Sequence, residues 1–318
     1  HLDYCDNIRL DRRCDCKIHL WRDHPSQLSS PNHPFQTKIM QMILMQTCRR
    51  VIKRFSRHWL PDSKKTVIHT RINGYNLLVL ANEEVGRAIH FGHNYESPET
   101  QYLQKVITKT SVCVDVGANV GYFTMLMAKK ASFGKVYAFE PIPLNASLLR
   151  ASAELNRLEN IEIIESAVGA SDGEVTLSQS TDSAYSSIRD TARKAVERVI
   201  SVPITTLDNF VRQRSIHSID VLKVDVEGAE GLVLMGSQEL LGDIERRPNV
   251  VLMELFDENL SSYDANSSAI IDMMQAFGYT AFFVTDSAEL VPFRVEALNK
   301  LYNVLFLAQE PPSNGQEI

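Results

Sequence analysis

Val114-Asp-Val-Gly-Ala-Asn-Val-Gly-Tyr-Phe123 is the stretch that decides how this chain folds. The apolar run Val112–Val116 reads as a buried strand, and residues 122–130 read as a helix. Gly117-Ala-Asn-Val-Gly121 joins them as a tight turn. Glycines there let a ligand approach the backbone, and the helix start presents free N–H groups. In an open α/β sheet, ligands bind beyond the carboxyl ends of the strands. A nucleotide-like ligand is therefore expected at this turn, with its identity open.

Working outward, strands are expected at 112–116, 135–139, 161–165, 220–225 and 249–255. Helices are expected near 122–130, 143–156, 231–241 and 266–277, and two further strands near 281–284 and 301–307. Short apolar runs alternating with helices indicate an α/β fold, a mostly parallel sheet with helices on both faces. Residues 169–206, rich in Ser and including Gly173, interrupt the alternation and read as an insertion with a short β element at Val175–Leu177. Upstream, 66–72 and 75–80 flank Asn73-Gly74, a hairpin signal, followed by helical stretches near 83–91 and 98–108. The division expected is an N-terminal extension over 1–66, a lead-in over 67–111, the main domain over 112–308 and a tail over 309–318.

Charge is unevenly spread along the chain. Residues 1–66 carry 13 Lys and Arg against 6 Asp and Glu, a net of +7, while the rest carries a net of −13. An acidic body does not attract polyanions, so nucleic acid is not an expected partner. Residues 1–36 are polar and read as irregular, and a helix over 37–58 follows. Its apolar part at 39–45 is too short to span a membrane; the helix reads first as packing its Met/Ile face on the main domain, with a membrane-surface helix as the alternative. Five cysteines, an odd number clustered near the start, point to a reducing compartment such as the cytoplasm. Cys14, Cys16, His19 and His24 do not match common zinc spacings. The Asn-x-Ser sequons at Asn145, Asn259 and Asn266 read as chance occurrences.

Three further positions carry chemistry. Glu140, closing Val136-Tyr-Ala-Phe-Glu140-Pro141, lies about 20 residues past the glycine turn, where an acid can bond both hydroxyls of a ribose. It equally suits the start of the next helix. A dinucleotide site wants glycine where Asn119 stands, and Asp115 favours a ligand bearing an ammonium group over a pyrophosphate. At the end of the third strand, Ser166 could bond a base and Val168 cover its face. In Val221-Leu-Lys-Val-Asp225-Val-Glu227-Gly-Ala-Glu230, Asp225 and Glu227 stand at the sheet's active edge, and Glu254 could face the same cleft. Such carboxylates can supply a general base or hold a divalent cation, and Glu230 reads as a helix-start charge.

Together, Val114–Phe123, Ala138-Phe-Glu-Pro141 and Lys223–Glu230 resemble the FkbM family of methyltransferases. Asn73-Gly-Tyr75, Val85-Gly-Arg-Ala-Ile89 and Tyr95-Glu96 resemble that family's lead-in, so the likeness covers roughly residues 70–308. The resemblance implies a class I methyltransferase fold: a seven-stranded, Rossmann-like sheet with a reversed final hairpin. It implies S-adenosylmethionine as cofactor, with Asp115, Gly117 and Asn119 at the methionine end, Glu140 and Pro141 at the ribose, and Ala167 at the adenine. Tyr95 and Glu96 would close over the site. Asp225 and Glu227 are the expected catalytic pair, acting on a hydroxyl of a sugar, glycan or natural product; no metal ligand is assigned. The rivals are a nicotinamide-dependent oxidoreductase and a non-catalytic binding module.

Overall fold

The computed structural model describes residues 8–9, 17–20, 66–91, 95–189, 195–293 and 302–308. The helix expected over 37–58, Cys14, Cys16 and His24 lie outside them. Two short strands, β1 (Ile8–Arg9) and β2 (Lys17–Leu20), fall where irregular chain was expected. They extend the hairpin of β3 (Val67–Ile72) and β4 (Tyr75–Leu80) into a four-stranded sheet, with β2 parallel to β3. Asn73 and Gly74 both take positive φ, as a tight two-residue hairpin turn requires. Helices α1 (Glu84–Phe91) and α2 (Ser97–Val106) complete the lead-in near their expected places.

The main sheet is built from β5 (Val112–Val116), β6 (Lys135–Phe139), β7 (Ile161–Ile164), β11 (Val221–Val224), β12 (Val250–Leu255), β13 (Tyr279–Val284), β14 (Leu290–Pro292) and β15 (Tyr302–Ala308). Its order is β14-β13-β15-β12-β11-β5-β6-β7. The central strands β7, β6, β5, β11 and β12 run parallel, while β15 lies antiparallel between β12 and β13. This is the order and reversed final hairpin of a class I methyltransferase. It has eight strands rather than the expected seven because three largely exposed residues, β14, pair along the outer edge of β13.

Neighbouring strand residues feed opposite cores, as a period of two dictates. Cys113 and Val221 join one buried cluster; Val114 and Leu222 join the other. The first cluster is closed by α3 (Tyr122–Lys130), α4 (Pro143–Asn156) and the lead-in. There the Leu78 N–H donates to Ser152 Oγ at 3.0 Å and the Asn76 N–H to Asn156 Oδ1 at 2.8 Å, docking the hairpin on α4. The second is closed by α5 (Leu207–Gln213), α6 (Glu230–Met235), α7 (Gln238–Gly242), α8 (Asp257–Ser261) and α9 (Ser267–Ala276). The single helix expected over 231–241 is thus two, because Asp208 accepts from the Glu239 and Leu240 N–H groups and starts a new one.

The described residues of 169–189 and 195–206 form more strand than the short element expected at Val175–Leu177, which lies within the first of two long strands. β9 (Gly173–Ser180) and β10 (Val196–Thr205) pair antiparallel, and β10 pairs parallel with β8 (Ala167–Val168). Among the described residues no helix is long and apolar enough to cross a membrane.

Candidate functional site

The turn after β5 is clamped to the end of β6: Gly117 and Ala118 both donate their N–H to the Phe139 carbonyl, at 3.0 and 2.9 Å. Gly117 has φ +78°, and a Cβ on it would lie 1.8 Å from the Asp225 carbonyl oxygen. Only glycine lets the ends of β5 and β11 close this tightly. Glu140, buried at 4% exposure, joins two loops: one carboxylate oxygen accepts from the Asn119 N–H at 2.8 Å, the other from the Ile142 N–H at 2.9 Å. It therefore supports the entry to α4, as the helix-start reading required, and fixes the glycine turn as well.

Asp115 is fully buried. Its Oδ2 accepts from Thr124 at 2.6 Å, while Oδ1 and the side-chain oxygen of Asn119 have no hydrogen-bond donor. Lys223 stands beside Asp115 in register on β11, its Nζ 3.8 Å from Asp115 and 3.0 Å from Asp225. Burial by itself would lower the lysine's pKa, but Asp225, then Asp115 and Glu96, hold it above its ordinary value. Among the described residues lining the cleft it is the one lysine or arginine.

At the other end, Asp225, Glu227 and Glu254 can each bring an oxygen within 4.8 Å of the others, a spacing that a hard divalent cation could bridge. Glu227 has φ 55° and Gly228 φ 104°; a Cβ on Gly228 would lie 2.5 Å from the Asn259 carbonyl oxygen. Asn259 Nδ2 donates to Glu227 at 2.8 Å, so the bent loop holds that carboxylate in place. Glu254 is raised well above the usual carboxylate range, first by burial and then by the charges of Asp225, Glu227 and Glu96. Glu230 turns inward to accept from Val226 and Gly228 N–H groups, as a helix-start residue does.

Burial is also the first cause that raises Glu96, Glu140 and Glu230 to about 7. Between the ordinary glutamate value of 4.5 and about 7 the folded chain holds more protons here than the unfolded chain. Their contribution to stability therefore declines as pH rises through that window, and donors supplied by a ligand offset the loss.

All nine residues expected from the sequence line one cleft: Glu96, Asp115, Gly117, Asn119, Glu140, Pro141, Ala167, Asp225 and Glu227. Glu254 lines it too, as anticipated, together with Ser166 and Val168. Lys223, Tyr122, Ser183 and Tyr185–Ile188 line it as well and were given no site role beforehand. A charged residue inside Val221-Leu-Lys-Val224, a strand covered on both faces, was the available signal for Lys223. The segment 183–188 bridges the cleft. At one end, Ser183 donates to Glu83 and lies 3.2 Å from the Asn145 side-chain amide, and Asp182 accepts from the Glu84 N–H at 2.6 Å. At the other end, the Arg189 N–H donates to the Tyr263 hydroxyl at 2.8 Å.

A family model described as the Methyltransferase FkbM domain matches residues 115–281. The chain is 26% identical over 176 residues to Methyltransferase 1 of Beauveria bassiana (strain ARSEF 2860), covering 50% of this chain and 71% of that protein. It is 25% identical over 186 residues to the 2-O-methyltransferase NoeI of Sinorhizobium fredii (strain NBRC 101917 / NGR234), covering 54% of this chain and 74% of that one. Among solved structures, M. jannaschii TYW2 in complex with AdoMet is 16% identical with a TM-score of 0.38, covering 79% of this chain and 90% of that chain. That likeness is too low to argue from, and the fold rests on the strand order described above. With more than half of its length inside the family model, the chain belongs to the FkbM methyltransferase family.

Proposed function

We propose that this methyltransferase uses S-adenosylmethionine to methylate a hydroxyl oxygen on a small-molecule or glycan acceptor. The observation that carries this reading is the pair of buried acceptors without donors, Asp115 Oδ1 and Asn119 Oδ1, at the glycine turn of an acid-lined cleft. They fit the ammonium group of the methionine moiety. A pyrophosphate would instead meet Asp115, Glu96, Asp225, Glu227 and Glu254, with Lys223 already engaged by carboxylates. That charge balance argues against the nicotinamide rival.

Asp115 and Asn119 would hold the methionine end, Glu140 and Pro141 the ribose and Ala167 the adenine, with Glu96 closing over the site. The bound cofactor supplies an electrophilic methyl on a sulfonium, so alignment of the acceptor does most of the work. Asp225, held by Lys223, orients the acceptor hydroxyl, and Asp225 or Glu227 takes its proton. Glu254, whose proton affinity is raised first by burial and then by the charges of Asp225 and Glu227, stands in the same cluster. The O-methyl assignment draws support from the name of the NoeI relative, a 2-O-methyltransferase.

The test is incubation with methyl-labelled S-adenosylmethionine and matched panels of hydroxyl, amine and carboxyl acceptors. Label is expected in an alkali-stable ether product from a hydroxyl acceptor. Transfer confined to amines would overturn the oxygen assignment.

A further inference from the structure

Tyr122 opens α3 directly behind the glycine turn and is 4% exposed. Its hydroxyl donates to the Tyr95 carbonyl at 2.8 Å, accepts from Asn73 Nδ2 at 3.0 Å and lies 2.9 Å from Thr100 Oγ1. With the bond to Tyr95 donated, the Thr100 hydroxyl is left to donate to Tyr122. One oxygen thereby ties the hairpin turn, α2 and the Tyr95–Glu96 segment to the first turn of the helix behind the cofactor loop. The ring is fixed separately, edge-on to Tyr95, Phe123 and Tyr75 at centroid distances of 5.0, 5.2 and 6.2 Å.

The residue after Tyr95 needs such a hold. Glu96 has φ 42° and ψ 47°, a left-handed backbone that costs a non-glycine residue about 1–2 kcal/mol. No side chain caps α2 at that position. Among the described residues, the backbone here is held by the Glu96 carbonyl, which accepts from the Thr100 N–H at 3.0 Å, and by the Tyr95 carbonyl bonded to Tyr122, while the Tyr95 side chain bonds the Glu96 carboxylate. The same Thr100 bonds the Tyr122 hydroxyl through its side chain, so both constraints meet at one place. Glu96 itself lines the cleft and feels the charges of Lys223 and Asp225.

We infer that Tyr122 is a positioning residue: through the Tyr95 carbonyl its hydroxyl holds Glu96 in the left-handed conformation that directs the carboxylate over the cofactor. The Asn73 bond makes the hairpin turn part of the same device, although it lies outside the 115–281 segment matched by the family model. This inference rests on the reading of Glu96 as a cofactor-binding residue.

Calorimetric titration of S-adenosylmethionine into the wild type, Tyr122→Phe, Glu96→Gln and the double variant tests it. Phe keeps every ring contact, so Tyr122→Phe should fold, with a melting temperature lowered by only a few degrees for the lost hydroxyl. Its dissociation constant should rise about tenfold, the scale of one buried hydrogen bond lost with its partners left unpaired. The double variant should bind no more weakly than Glu96→Gln, because the hydroxyl acts only through that carboxylate. Asn73→Ala should shift binding in the same direction by a smaller factor. Wild-type binding by Tyr122→Phe, or losses that multiply in the double variant, would overturn the positioning role and leave that of Glu96 standing. Wild-type binding by Glu96→Gln would overturn the reading of Glu96, and the inference with it.

Discussion

Asp225→Asn is expected to lower turnover about 10²–10⁴-fold, the usual contribution of a positioned proton acceptor, while the dissociation constant for S-adenosylmethionine changes little. Asparagine keeps the shape and one acceptor oxygen toward Lys223, which retains its charge partner Asp115 3.8 Å away. The glycine turn meets Asp225 through its backbone carbonyl, which the substitution does not touch. What disappears is the carboxylate at the acceptor end of the cleft, beside Glu227 and Glu254. Turnover is measured at saturating cofactor, and binding by calorimetry. Unchanged turnover would remove Asp225 from the chemistry, and joint loss of binding would make it a structural residue instead.

Lys223→Met is expected to cost about 3–5 kcal/mol, the range for breaking a buried ion pair by removing one partner. For a domain of this size that corresponds to a fall in melting temperature of roughly 10 °C. The lysine side chain is 7% exposed, and its partners Asp115 and Asp225 are 1% and 28% exposed. Solvent therefore screens little of the interaction on the Asp115 side. Without the cation, the pKa of Asp115 rises further, because burial already raises it and Lys223 is the first influence that lowers it. An acid with a raised folded-state pKa is best tolerated when protonated, so the deficit should be smaller at pH 5 than at pH 8. Scanning calorimetry at both values reads this directly. A variant that melts with the wild type at pH 8 would show that the lysine is not a structural charge hub.

Much of the fold was legible because its signals are local. Apolar runs such as Val112–Val116 and Val250–Leu255 are buried on both faces, so composition and length identify them as strands without tertiary context. The glycine turn and Glu140 were legible for a related reason: fixed spacing along one strand-turn-helix unit places both at the same sheet edge. The insertion was not. Residues of β10 are mostly exposed, and among the apolar residues of β9 and β10 only Leu177 and Val202 are fully buried, in a cluster with Ile142 and Ala167. A strand that buries so few of its residues leaves no alternation to read. Its Ser-rich composition left only the short β element at Val175–Leu177 to read, whereas Ser183, Ser186 and Ser187 serve as hydrogen-bonding points for the segment across the cleft.

The site shows the same division. Asp225 and Glu227 stood out because carboxylates directly after a buried strand have few other reasons to be there. Lys223 was passed over because two of its three charge partners, Asp115 and Glu96, are remote in sequence and meet it only when β5, β11 and the lead-in assemble. Tyr122 was hidden by its place inside the decisive motif, where an aromatic residue at a helix start reads as core. Its ring is core; its hydroxyl bonds three groups from the lead-in.

The most direct measurement is titration of the intact protein with S-adenosylmethionine and, separately, with NADH. Saturable, one-to-one binding of S-adenosylmethionine, weakened by Glu140→Ala and absent for NADH, is the expected result. Binding of NADH in preference to S-adenosylmethionine, or no binding of S-adenosylmethionine at all, would contradict the account.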